Sequence, residues 1–322
     1  MTTRDELLAG AGFGIAVGHA TDEAGATGLT VVRGVDEPFR ASAYVFGRAT
    51  GTREVALLEP WASNDRVDAI LLTGGSAYGL DAAAGVMRWM EERGRGFPIA
   101  GGVVPIVPAA VVFDLAPLGR FDARPTPEMA YRACEAAEAR GWDEGSLGVG
   151  TGCTVGKILG PAGAMKGGVG VGLAEAGEVR ACAVAAVNAF GHVRSRDGSI
   201  IAGPRGPDGT FVDTERHIAA GGLLRGLGGG GHTTISVVVL NAAFTKTELH
   251  QVARAATAAY HRRLGPAASS FDGDVIFSVS QFEGRRATLP QAEVCATAAL
   301  EEAIERAVRL AKGRDGVPGL AD

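Results

Sequence analysis

Cysteine is scarce in this 322-residue chain: four residues, Cys134, Cys153, Cys182 and Cys295, with no C-x-x-C spacing. That pattern fits neither a disulfide scaffold nor a zinc site and suits a reducing cytoplasm. Basic charge is not in excess either. With 31 Lys and Arg against 36 Asp and Glu the net charge is −5, which makes nucleic acid and anionic membranes poor partners. The longest apolar run, residues 98–113, is interrupted by Pro98, Pro105 and Pro108 and is too short to span a bilayer. The first residues, Met1-Thr-Thr-Arg-Asp-Glu, lack the basic start and apolar stretch of a signal peptide, so a soluble, cytoplasmic protein is expected. Six histidines form no H-x-x-x-H pair, so no metal is expected.

Glycine, in contrast, is abundant at 49 residues, while aromatics make up only 6%. Small side chains packed closely and many turns are the natural reading. Residues 13–33 read as two strands joined by a polar turn, and residues 69–73 as an apolar strand leading into a Gly-rich turn. Helices are expected over about 80–93, 125–140, 245–260 and 291–312, the third opened by a Thr245…Glu248 capping box and the second ended near Gly141. Strands are expected over 179–187, 233–240 and 275–279. The Gly-dense stretch 145–177 points to close backbone packing or turns. Residues 195–232 form a long, weakly structured connection with a short helix near 216–224, which is uncommon unless functional. There is no internal repeat and no inter-domain linker. A single domain over 1–322 is expected, with two layers of sheet covered by helices.

Several familiar motifs fail. A Walker A loop ending at Gly156-Lys157 would need glycine at 151, where Thr151 stands, and Ile158 follows the lysine. Cys153 and Val155 stand where the dinucleotide pattern needs its third glycine, and Tyr78 stands where a G-x-S-x-G elbow needs its last. Asp272-Gly-Asp274 lacks the other ligands of a calcium loop.

What remains is the segment 228–234, Gly-Gly-Gly-Gly-His-Thr-Thr, running into an apolar strand. Glycines reach backbone angles that other residues avoid, and a threonine hydroxyl just after them can attack the carbonyl before it. Scission of the His232–Thr233 bond would leave Thr233 with both a nucleophile and its own base. An α-amine has a pKa of about 7.7–8.0, and an N-terminal amine activates a Thr hydroxyl. The plain alternative is a loop entering a core strand.

Separate segments over residues 12–312 carry a resemblance. They are Gly18-His19 with Thr27-Gly28 and Thr30-Val31, Leu72-Thr-Gly-Gly-Ser-Ala-Tyr-Gly-Leu80, Val107-Pro-Ala-Ala-Val-Val-Phe-Asp114, Gly152-Cys-Thr-Val-Gly-Lys157 and Ala185-Ala-Val-Asn188. The most specific is His232-Thr-Thr-Ile-Ser236 followed by Asp272-Gly-Asp274. Together they resemble the self-cleaving L-aminopeptidase/D-esterase family, whose relatives include β-aminopeptidases and nylon-oligomer endohydrolases. The nylon-oligomer branch typically carries Asn before its nucleophilic Thr, and the β-aminopeptidase branch uses Gly-Ser; His232 departs from both. Asp197-Gly-Ser199-Ile imitates the serine-type cut, but its strand breaks at Gly203-Pro204, so Thr233 is preferred over Ser199.

The resemblance implies an α/β fold, a four-layer αββα sandwich like N-terminal-nucleophile hydrolases with different connectivity, cut into chains 1–232 and 233–322. It implies Thr233 as nucleophile, Lys157 beside the new amine, lowering its pKa, and Asn188 as donor to the tetrahedral oxyanion. Tyr78 is a second donor or a substrate contact. Asp272 and Asp274 orient Lys157 and the amine, or bind a substrate ammonium. Thr234 and Ser236 are candidates for the pocket wall. The implied activity is hydrolysis of small peptides or amides by a homotetramer, with no cofactor. Alternatives are endo-cleavage of polyamide oligomers, acyl transfer of the ornithine-acetyltransferase type, and an unprocessed binding protein.

Overall fold

The computed structural model describes residues 12–140, 142–223 and 231–322. In chain order the principal strands are β1 (Ile15–Asp22), β2 (Thr27–Gly34), β3 (Arg40–Val45), β4 (Thr52–Arg53) and β5 (Ala69–Thr73). They continue as β6 (Ala109–Val111), β7 (Gly168–Ala176), β8 (Val179–Asn188), β9 (Thr233–Leu240) and β10 (Val275–Ser280). The principal helices are α1 (Ala83–Glu91), α2 (Pro127–Ala136), α3 (Lys246–Arg263) and α4 (Leu289–Arg309).

Two five-stranded sheets result. One has the order β1-β2-β5-β6-β4 and the other β7-β8-β9-β10-β3. Strand alternation sends every second side chain to one face. In β9, Ile235, Val237 and Val239 point between the sheets with Val184, Ala186, Phe277, Val32, Ile70 and Leu72. Val238 and Leu240 point the other way, against Leu249, Ala256, Leu300 and Ile304 of α3 and α4. A third core joins Leu29, Val31 and Leu71 of the first sheet to Val86, Met90 and Ala130 of α1 and α2. Helices, sheet, sheet, helices are therefore stacked in four layers, as the sequence implied. No helix among the described residues is long and apolar enough to cross a membrane.

The Gly-dense stretch is partly a strand. A Cβ on Gly168, Gly170 or Gly172 would lie 2.4, 2.2 or 1.8 Å from the carbonyl oxygens of Ala307, Ala303 and Ala299. The alternating glycines of β7 let α4, with alanines every fourth residue, sit directly on the sheet backbone. Close packing was legible in the sequence; the strand was not.

Some boundaries shift for local reasons. The second helix starts at Pro127, capped by Thr126, and ends at Ala136, short of 140. Ala137 is extended there, and Glu138 exchanges backbone hydrogen bonds with Val17. The expected terminus Gly141 lies outside the described residues. The segment before α1 is a 3₁₀ turn, Ser76–Ala82. The short helix of the long connection is Thr214–Ala219, capped by Asp213; Leu224 and the glycines at 228–230 lie outside the described residues. That connection also carries a strand, Ile200–Ala202, paired with His192–Arg194. The capping box at Thr245 forms as expected, with Glu248 reciprocating.

Candidate active site

β8 and β9 pair antiparallel, and their register sets Asn188 directly opposite Thr233. Period-two alternation puts both side chains on the inter-sheet face, at the end where the two sheets part. A cavity of about 220 Å³ opens there, lined by Gly51, Ser76, Val111, Phe113, Thr233 and Phe271 among others. Thr233 is buried, and its Oγ1 donates to the carbonyl oxygen of His232 at 2.5 Å. The same oxygen accepts the backbone N–H of Gly273 at 3.0 Å.

Lys157 follows a left-handed glycine, Gly156, and buries its ammonium. Nζ donates to Asn188 Oδ1 at 2.8 Å, to the Asn188 and Gly231 carbonyls at 2.9 Å each, and to Thr154 O at 3.1 Å. Burial lowers its pKa to about 7, and the nearby acidic groups Cys153, Asp272 and Asp114 offset only part of that effect. Asn188 is held as firmly. Its Oδ1 also accepts Thr154 N–H at 2.9 Å, and its Nδ2 donates to Phe113 O at 3.0 Å and Gly231 O at 3.1 Å. Lys157, Asn188 and the backbone beside Thr233 thus form one hydrogen-bonded unit.

The two aspartates hold backbone. Asp274 accepts the N–H of Thr234 at 2.8 Å and of Ala268 at 3.0 Å, and Asp272 accepts that of Ser269 at 2.9 Å. Both carboxyls are shifted upward by burial, Asp274 further because Asp272 lies close. None of the hydrogen bonds of Lys157 described above goes to either carboxylate; Asp272 acts on the lysine through space. His232 is buried with its ring against Phe190, centroids 4.7 Å apart.

Tyr78 is 52% exposed; its ring lies under the Arg124 guanidinium and edge-on to Phe121. The Gly-rich turn reaches the cavity through Ser76 and Ala77 instead. Ser199 sits in a polar turn, its hydroxyl bonded to Asp197 at 2.7 Å. Thr234 and Ser236 point to the helix side of β9, where the Tyr260 hydroxyl bonds the Thr234 carbonyl at 3.0 Å and meets Ser236 Oγ at 3.1 Å. Neither lines the cavity, contrary to the expectation from the sequence, because alternation turns Thr234 and Ser236 away from the face of Thr233.

The sequence reading gave no role to Asp114. This buried carboxylate accepts Gly75 N–H and Thr27 Oγ1 at 2.6 Å each, and burial raises its pKa to about 6. It ties the Gly-rich turn to the segment whose Phe113 carbonyl holds Asn188. An aspartate closing an apolar strand was the available signal. A group of metal-ligand type, His192 with Asp213 and Glu215, lies elsewhere, and Arg194 contacts both of its carboxylates, at 2.7 Å for Glu215.

Residues 13–320 match the model of peptidase family S58. An uncharacterized aminopeptidase of Mycobacterium leprae is 42% identical over 73% of this chain, and the match spans 65% of that relative, just under two thirds of its length. A 6-aminohexanoate-oligomer endohydrolase of a Kocuria species is 31% identical over 86% of this chain and 76% of its own. Among solved structures, the L-aminopeptidase D-Ala-esterase/amidase of Ochrobactrum anthropi, described as a variant of the Ntn hydrolase fold, superposes with a TM-score of 0.67. It is 18% identical, with 93% of this chain and 85% of that one covered, which speaks for the fold alone. On the family match and the curated relatives, this chain belongs to peptidase family S58.

Proposed function

We propose that the chain is an autoprocessing amidohydrolase of the N-terminal-threonine type, cleaving small peptides or amides through an acyl-enzyme on Thr233. The observation that carries the reading is the buried Thr233 hydroxyl against the His232 carbonyl, across from Asn188 and beside a cavity. Attack on that carbonyl shifts the peptide to an ester, and water then frees chains 1–232 and 233–322. The liberated α-amine takes the proton of the Thr233 hydroxyl when a substrate carbonyl is attacked. Lys157, cationic in part near neutral pH, keeps that amine a free base by charge repulsion. Asn188 Nδ2 donates to the substrate oxyanion, a contact worth about 10²–10³ in rate. Asp272 and Asp274 fix the loop that frames the nucleophile.

A second reading, endo-cleavage within polyamide oligomers, gains from the cavity wall. Its described lining residues include no carboxylate to pair with a substrate ammonium. Parallel assay of aminoacyl amides and aminohexanoate oligomers, with Thr233→Ala as the blank, decides between exo- and endo-cleavage. Turnover of neither substrate class by a cleaved protein would overturn the hydrolase reading.

A further inference from the structure

Two successive carbonyls stand at the site in the uncut chain, and different groups hold them. Gly231 O accepts from Lys157 Nζ at 2.9 Å and Asn188 Nδ2 at 3.1 Å. His232 O, on the carbon that Thr233 attacks, accepts from Gly273 N–H at 3.0 Å. Asn188 spends its amide hydrogens on Phe113 O and Gly231 O, one peptide upstream of the bond to be broken.

We infer that the backbone N–H of Gly273 is the oxyanion donor for self-cleavage at His232–Thr233, a role distinct from that of Asn188 in substrate turnover. The inference rests on the self-cleavage proposed above.

The donor is fixed before reaction begins. The peptide unit that carries it has its other end, Asp272 O, clamped by the N–H groups of Arg48 at 2.8 Å and Ala49 at 3.0 Å. Two residues further on, Asp274 O accepts from Phe46 at 3.2 Å and Gly47 at 3.0 Å. A peptide whose carbonyl accepts hydrogen bonds becomes a stronger N–H donor, and a donor that need not reorganise is the more effective one. Close approach also demands glycine. A Cβ at 273 would lie 2.8 Å from Thr233 Oγ1 and 2.7 Å from Ala49 O.

The step balances without a co-reactant. Thr233 Oγ1 bonds to the His232 carbonyl carbon as the carbonyl pair moves onto oxygen, where Gly273 N–H meets the charge. The C–N bond then breaks and the nitrogen leaves with the hydroxyl proton, giving an ester and a free amine. Water later hydrolyses the ester.

The direct test replaces Gly273 by glycolic acid in a semisynthetic full-length chain, which exchanges the N–H for an ester oxygen and keeps the shape. With folding checked by circular dichroism, the first-order rate of scission is expected to fall about 10²–10³-fold. A rate within threefold of the unmodified chain overturns the role of Gly273 alone. An unmodified chain that never cuts at 232/233 overturns the self-cleavage reading beneath it. Should the ester variant not fold, Asn188→Ala gives an independent answer from both reactions. Turnover is expected to fall at least tenfold more than self-cleavage; equal losses would assign both oxyanions to Asn188 and sink the proposal.

Discussion

Asn188 and Thr233 are direct cross-strand partners, and the 2.8 Å bond from Lys157 Nζ to Asn188 Oδ1 places the buried cation beside that pair. The proposed nucleophile, the proposed donor to the substrate oxyanion and the cation therefore share one corner of the second sheet. The consequences can be measured residue by residue.

Lys157→Met removes the donor from four acceptors, Thr154 O, Asn188 O, Asn188 Oδ1 and Gly231 O. Asn188 Oδ1 and Gly231 O each keep a second donor; an acceptor left without one costs about 1–3 kcal/mol, so the denaturation midpoint should fall. Self-cleavage and turnover should each drop by about 10² or more, in line with loss of a positioned electrostatic group. Gel densitometry and a substrate assay give the two rates; near-normal rates would leave Lys157 a purely structural residue.

Burial lowers Lys157 from 10.5 to about 7 and Lys166 to about 8. Between those values and 10.5 the unfolded chain binds more protons than the folded one, so stability rises with pH. The gain is complete above 10.5 and lost as pH falls through the folded values. Urea titrations from pH 7 to 9 are run on the uncut Thr233→Ala chain with and without Lys166→Met, because the buried cysteines, raised from 9.0, oppose the rise near pH 9 in both chains. Midpoints should climb over that range, and Lys166→Met should climb less steeply. A slope unchanged in Lys166→Met would mean that this lysine stays charged in the fold.

Gly231 has φ +132°, and a Cβ there would lie 2.5 Å from the Phe113 ring. Gly231→Ala must displace the scissile segment, and self-cleavage is expected to slow at least tenfold while the protein still folds. Unaltered cleavage would show that the segment adjusts freely.

Gly172→Ala drives a methyl group to 1.8 Å from Ala299 O, on the far face of the second sheet. Overpacking of this kind costs typically about 1–3 kcal/mol. The denaturation midpoint should fall while activity per folded, processed molecule stays level.

Ser199 is engaged by Asp197 in a surface turn. Ser199→Ala should leave the cut position and its rate unchanged. A cut before 199 in the parent chain would move the nucleophile.

Locally encoded features were legible in the sequence. The capping box at Thr245 and the apolar run of β9 declare themselves through neighbours a few residues apart, and both formed as expected. β3 did not, because Arg40–Val45 joins the second sheet only by pairing with β10, more than 200 residues away. The hydrogen bonding of Asn188 was hidden for the same reason, since it depends on Phe113, Thr154 and Gly231 meeting at one point. Gly273 offered least, because its contribution is a backbone N–H and a missing side chain. Thr234 and Ser236 were misplaced on the pocket wall, although strict alternation from Thr233 already sends them to the other face.

The most direct test of the account is the intact mass of the purified protein beside a Thr233→Ala variant. Two fragments meeting between His232 and Thr233 in the parent, with one full-length chain in the variant, are expected. A parent that stays as a single 32.8 kDa chain under conditions where it is folded would contradict Thr233 as a self-liberated nucleophile.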